Sequence, residues 1–149
     1  MLSETLIILY SRELNSLAKE ISAYENEGDI WKTVDGIANS AGNLCLHLVG
    51  NLDHFVGATL GDTGYARDRE AEFSTKYLPR EELLNRIEAT TETIKKVLSG
   101  ISDEDHLKEF PLETPMGVVK TGQMLIHLQG HLNYHLGQIN YHRRLLDVT

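Results

Sequence analysis

Apolar residues recur at helical spacing over four long stretches of this chain. In residues 2 to about 25, Leu2, Leu6, Leu9, Leu14, Leu17 and Ile21 line one face, and Ser11, Arg12, Glu13, Lys19 and Glu20 fall largely between them. That pattern predicts an amphipathic helix, stopped by Gly28 and Asp29. A connector follows whose Trp31 is expected to cover one end of the core. The second helix starts with Ser40 as its cap, or near Ile37, and runs to about Leu60, ending at Gly61. Its apolar stripe is Leu44, Cys45, Leu48, Leu52, Phe55 and Val56.

Residues 61 to 79 read as a long loop. Arg67, Asp68, Arg69, Glu70 and Glu72 alternate in sign there, as in a self-neutralising surface segment, although Tyr65, Arg67 and Arg69 could reach a pocket mouth. Pro79 opens the third helix, with Glu81 and Glu82 in the first turn where the helix dipole favours acids, and Gly100 ends it. Its stripe is Leu83, Leu84, Ile87, Ile94, Val97 and Leu98. Residues 110 to 120 carry two prolines and Gly117, which forbid a helix and predict an extended or hairpin-like stretch. The acids at 103 to 105 lack the glycine and following glutamate of an EF-hand loop, which rejects a calcium site of that kind. The fourth helix starts near Thr121 and runs to about Leu146, with Leu125, Leu128, Leu132, Ile139 and Leu146 inward. Four long helices in 149 residues predict an all-α four-helix bundle forming a single domain over residues 1–149.

Charge and cysteine usage narrow the function classes. A formal net charge of −8 argues against a non-specific nucleic-acid binder and against an anionic membrane surface as partner. No apolar run suggests a membrane span, and Glu4 stands where a secretory leader would carry a basic residue, so the expected compartment is the cytoplasm. The lone Cys45, on the apolar side of its helix, reads as a small core residue. Any metal site must therefore be built from His, Asp and Glu.

The fourth helix concentrates such residues. His127, His131 and His135 stand four apart, about 6 Å per step along one face. An adjacent pair can grip one transition-metal ion, but His127 and His135, about 12 Å apart, cannot share it, so a third ligand must come from elsewhere. Measured from the centre of the apolar stripe, His135 lies about 30° away, His131 about 70° and His127 about 110°. The inward pair is His131 and His135; His127 or Gln138 could hydrogen-bond the outer nitrogen of a ligand imidazole. His142 also faces inward, about 10.5 Å along from His135 and too far to share its ion. On the second helix, Asn43, His47, Asn51 and His54 fit within a band of about 80°, shared by Gly50, Gly57 and Ala58. His47, flanked by Asn43 and Asn51 that could hold its ring, is the preferred third ligand, and His54 is the alternative.

The runs His131-Leu-Asn-Tyr-His135-Leu-Gly-Gln138-Ile139 and Asn43-Leu-Cys-Leu-His47-Leu resemble the DinB/YfiT-like superfamily, and the resemblance covers essentially the whole chain. Asn43 to Leu52, followed by Gly64-Tyr-Ala-Arg-Asp-Arg-Glu-Ala-Glu-Phe73, resembles one branch of it. The resemblance implies an up-down-down-up bundle, commonly a homodimer, with zinc or nickel held by His47, His131 and His135. Leu136 stands where the family often has Arg, which removes any cosubstrate contact that Arg would make.

Three imidazoles leave an open coordination position, the mark of a catalytic ion, which can deprotonate a bound thiol. Superfamily members similar to this chain include transferases and isomerases that use low-molecular-weight thiols. The leading expectation is therefore a thiol S-transferase acting on small electrophiles, with Asn51, Tyr134 and Gln138 positioning ligands or ligand imidazoles. A metal-dependent hydrolase is the rival enzyme; it needs a general base, and no acid sits beside these histidines in sequence. A dimeric helical module that binds a small ligand or metal without turnover is the non-enzymatic alternative.

Overall fold

A computed structural model describes residues 1–147. Its regular elements are helices: α1 (Leu2–Ala23), α2 (Ala41–Leu52), the short α3 (Arg69–Ser74), α4 (Arg80–Ser99) and α5 (Thr121–Leu146), with no strand among the described residues. α2 continues without a break into a π-helical turn, Asp53–Ala58, and a last turn, Thr59–Gly61. The expected ends hold within a few residues. Ser40 Oγ accepts from the Asn43 N–H at 3.1 Å, the hydrogen bond of an N-cap, and Gly100 follows α4. α1 stops sooner than its pattern suggests, because Tyr24 turns extended and sends its ring inward.

Two sequence expectations are corrected. Residues 61 to 79 are not a plain loop: Asp68 caps α3 by accepting from Ala71 N–H at 3.0 Å. In α1, Tyr10 is fully buried while Leu9 is only half-buried; its hydroxyl, which donates to the Leu125 carbonyl at 2.6 Å, lets a polar-tipped ring join the core. The stretch before α5 is hairpin-like as expected, with bridges pairing Glu109 with Lys120 and Thr114 with Gly117.

Side-chain contacts fix how the helices lie. At the start of α1, Ser3 Oγ donates to the Ile101 carbonyl just past α4; at its end, Arg80, opening α4, donates to the carbonyls of Ser22 and Tyr24. Along α5, Tyr10 meets Leu125 and Tyr24 meets His142. α2 touches α4 at Asp53 and Thr90, then at Gly57 and Thr93, then at Gly61 and Val97. α2 thus packs between α4 and α5 while touching α1 little. Every residue of α2 from Ala41 to Leu52 is buried, polar ones included. Trp31 closes one end as expected: a Cβ on Gly42 would stand 2.6 Å from its ring. Cys45 is buried, and burial pushes its thiol up to about 12. No described helix is long and apolar enough to cross a membrane.

His142 joins α5 to the first connector. The Tyr24 hydroxyl donates to Nδ1 at 2.7 Å, and Nε2–H donates to the Lys32 carbonyl at 2.9 Å, which satisfies both nitrogens of the neutral ring. Burial holds its pKa below the usual 6.5. A histidine depressed in the fold contributes stability that is present above about 6.5 and lost as pH falls through the folded value. Replacing His142 with Gln is expected to cost about 1–3 kcal/mol at pH 8, measured by urea denaturation, and the gap from wild type should narrow as the pH is lowered from 6.5 to 5.

Candidate metal centre

Three imidazoles meet where α2 crosses α5. His47 is buried and faces His131 and His135, which are half-buried; the ring centroids are 5.0 Å (47–131), 5.3 Å (47–135) and 4.6 Å (131–135) apart. One nitrogen from each lies within 4.8 Å of the others, so the three could hold a metal ion. His47 Nε2 stands 3.2 Å from His131 Nε2. Two nitrogens bound tetrahedrally at about 2.0–2.1 Å would lie about 3.3 Å apart, which matches that edge.

The hydrogen bonds on the far side of the rings decide which nitrogen is free. His47 Nδ1–H donates to Glu72 Oε1 at 3.0 Å, since a carboxylate can only accept. His135 Nδ1–H donates to Gln138 Oε1 at 2.7 Å. In the neutral tautomer that these bonds select, the lone pair of each ring is on Nε2, as a ligand imidazole needs. His131 Nδ1 is buried without a partner, as is Asn51 Oδ1. Burial, then the neighbouring His135 and His47, pushes His131 down to about 4; burial also lowers His47 against the opposing pull of Glu72.

Glu72 is the residue that sequence reading missed. It belongs to a segment read as surface charge, yet it is 5% exposed. Arg67 grips its carboxylate twice, Nε to Oε2 at 2.9 Å and Nη2 to Oε1 at 3.0 Å. Asn43 does not hold the His47 ring; its amide donates to the carbonyls of Glu72 and Thr75 at 2.9 and 2.8 Å and so fixes α3 against α2. Phe73 then lies on the His47 ring, centroids 4.9 Å apart. The polar flank of α2 is covered by the chain's own α3 instead of by solvent. A signal was present: Gly50, three residues after His47, leaves the gap that Glu72 fills. A Cβ there would come within 2.7 Å of Glu72 Cδ.

The remaining candidates fall into place around the cluster. Tyr134 is exposed, its ring 5.2 Å from His135, and Gln138 acts on His135 as described. His127 is exposed and outside the cluster. His54 is half-buried against Phe55 and also outside it, because the π turn that begins at Asp53 rotates the residues after Leu52 away from the α-helical register.

The chain matches, over residues 7–148, the family described as "Protein of unknown function (DUF1572)", and it belongs to that family. No curated protein matches it.

Gly50→Ala is expected to displace the Glu72 carboxylate and destabilise the protein by about 1–3 kcal/mol. The His47 Nδ1–H proton signal should move or vanish in its NMR spectrum, whereas Gly130→Ala, which meets no neighbour within 4 Å, should leave it in place.

Proposed function

We propose that this protein is a metal-dependent enzyme of the DinB/YfiT-like superfamily, an up-down-down-up four-helix bundle that joins a low-molecular-weight thiol, through its sulfur and with loss of the thiol proton, to small electrophiles. The contacts of α1 with α4 and α5, and of α2 with the same pair, support that topology. His47, His131 and His135 would hold a divalent transition metal, zinc or nickel. When bound, such an ion acts as a Lewis acid that favours the thiolate form of a thiol.

One observation carries the choice of chemistry. The carboxylate behind His47, Glu72, is tied to Arg67 and His47, so Glu72 and Arg67 cancel and the three neutral imidazoles bring no charge. A dipositive ion there lacks an anionic partner from the protein, and a thiolate supplies one. A carboxylate general base would favour hydrolysis, and Glu72, engaged by His47 and Arg67, is not free to be that base. Gln138 and Glu72 orient ligand imidazoles, Asn51, one turn after His47, has a buried oxygen without a partner, and Tyr134 flanks His135 where a substrate would approach. The same reading has the protein act as a cytoplasmic homodimer.

Elemental analysis of protein purified without a histidine tag should find about one divalent ion per chain. The ion should be lost in His47→Ala, His131→Ala and His135→Ala and retained in His127→Ala; absence of stoichiometric metal overturns the proposal. Glu72→Gln should weaken metal affinity by about 10–100-fold in a chelator competition. Metal-loaded protein should consume a thiol with some member of a broad electrophile panel, and failure across the panel would refute the transferase assignment while leaving the metal site standing.

A further inference from the structure

A cavity of about 560 Å³ opens beside the histidine cluster, between the first connector and the outer face of α5. Ile37 and Leu44 form one wall, and Tyr134, Gln138, Tyr141 and Leu145 form the other. Two of these residues belong to the cluster as well: Gln138 accepts from His135 Nδ1–H, and the Tyr134 ring lies against His135. The cavity therefore adjoins the candidate metal centre through two side chains that touch a ligand imidazole, although none of the three imidazoles lines it.

Its chemistry is specific. Asp, Glu, Lys and Arg make up 24% of the chain, yet none of them lines this cavity. His142, in the wall, has both nitrogens occupied by Tyr24 and Lys32 and presents a neutral ring. Gln138 has its carbonyl engaged by His135, which leaves its NH2 as a donor. Tyr134, Tyr141 and Leu145 are each more than 60% exposed, an apolar stripe at helical spacing. Arg144 stacks on Tyr141 at 5.3 Å but does not line the cavity.

Gly137 also lines the cavity. It lies inside α5, where glycine costs about 1 kcal/mol of helix stability relative to alanine, and a Cβ there would meet nothing within 4 Å. No close packing calls for glycine at this position. What its missing side chain leaves is room in the cavity wall.

We infer that this cavity binds an uncharged small molecule with an aromatic or aliphatic body, hydrogen-bonded by the Gln138 amide. A volume of this size suits a small organic ligand, and a charged one would find no counter-charge in the walls. Taken with the function proposed above, on which only this last step rests, the occupant is the electrophile, held beside His135 by the side chains that touch it.

The test measures binding rather than turnover, so it can fail while the transferase reading stands, and the reverse. Uncharged p-nitrobenzyl alcohol and its anionic counterpart p-nitrobenzoate are titrated into the purified protein, followed by calorimetry and by amide chemical shifts. The alcohol should bind saturably, shifting Gly36, Ile37 and the Gln138 side-chain amide, and p-nitrobenzoate should bind at least about tenfold more weakly, a difference of about 1.4 kcal/mol. Gly137→Leu should weaken the alcohol at least about tenfold while metal content stays unchanged. Gly130→Leu, another α5 glycine with open space around it but outside the cavity, should bind like wild type. Failure of the alcohol to bind, binding unaffected by Gly137→Leu, or equal affinity for the anion would each overturn the inference. So would a Gly137→Leu variant that changes the molecular mass in solution in place of probe binding, since a second copy of the chain would then be what covers this face.

Discussion

The hydrogen bond from His47 Nδ1–H to Glu72 holds the site together. It fixes the tautomer of the one histidine that α2 contributes, and so turns Nε2 toward the pair on α5. Glu72 can lie there because three separate features converge on it. Arg67 neutralises its charge in a fork geometry, Gly50 gives it space against the helix, and Asn43 ties down the backbone that carries it. A buried carboxylate without such partners would be costly, and a buried histidine without an acceptor would not have a defined free nitrogen.

That constraint explains why α2 is buried on all sides. One face packs into the core through Leu48 and Leu52, and the flank with Asn43, His47 and Gly50 receives α3. α3 is only six residues long and could not be stable by itself; its order comes from the Asp68 cap, the Asn43 hydrogen bonds and the Arg67–Glu72 pair. The segment that reads as a surface loop is therefore a structural part of the histidine cluster, and the order of that segment and the orientation of His47 depend on one another.

Much of this was legible in the sequence, and the gaps have physical causes. Helical periodicity located the four long helices, and the Ser40 cap and Gly100 stop fell where propensity places them. Angular spacing on α5 separated His131 and His135 from His127, because the side-chain direction on a regular helix follows from residue number. On α2 the same reasoning grouped His47 with His54, since no local signal marks the π turn at Asp53–Ala58. Glu72 escaped for a different reason. Alternating charge is usually solvated, and only a tertiary contact 25 residues distant in sequence distinguishes a buried member from its exposed neighbours.

The central claim is that three imidazoles present Nε2 to one ion. X-ray absorption on the zinc-loaded protein tests it most directly. The account predicts three nitrogen scatterers at about 2.0–2.1 Å with the outer-shell signature of imidazole, falling to two in His47→Ala. A spectrum with oxygen neighbours alone, or one that His47→Ala leaves unchanged, would contradict it.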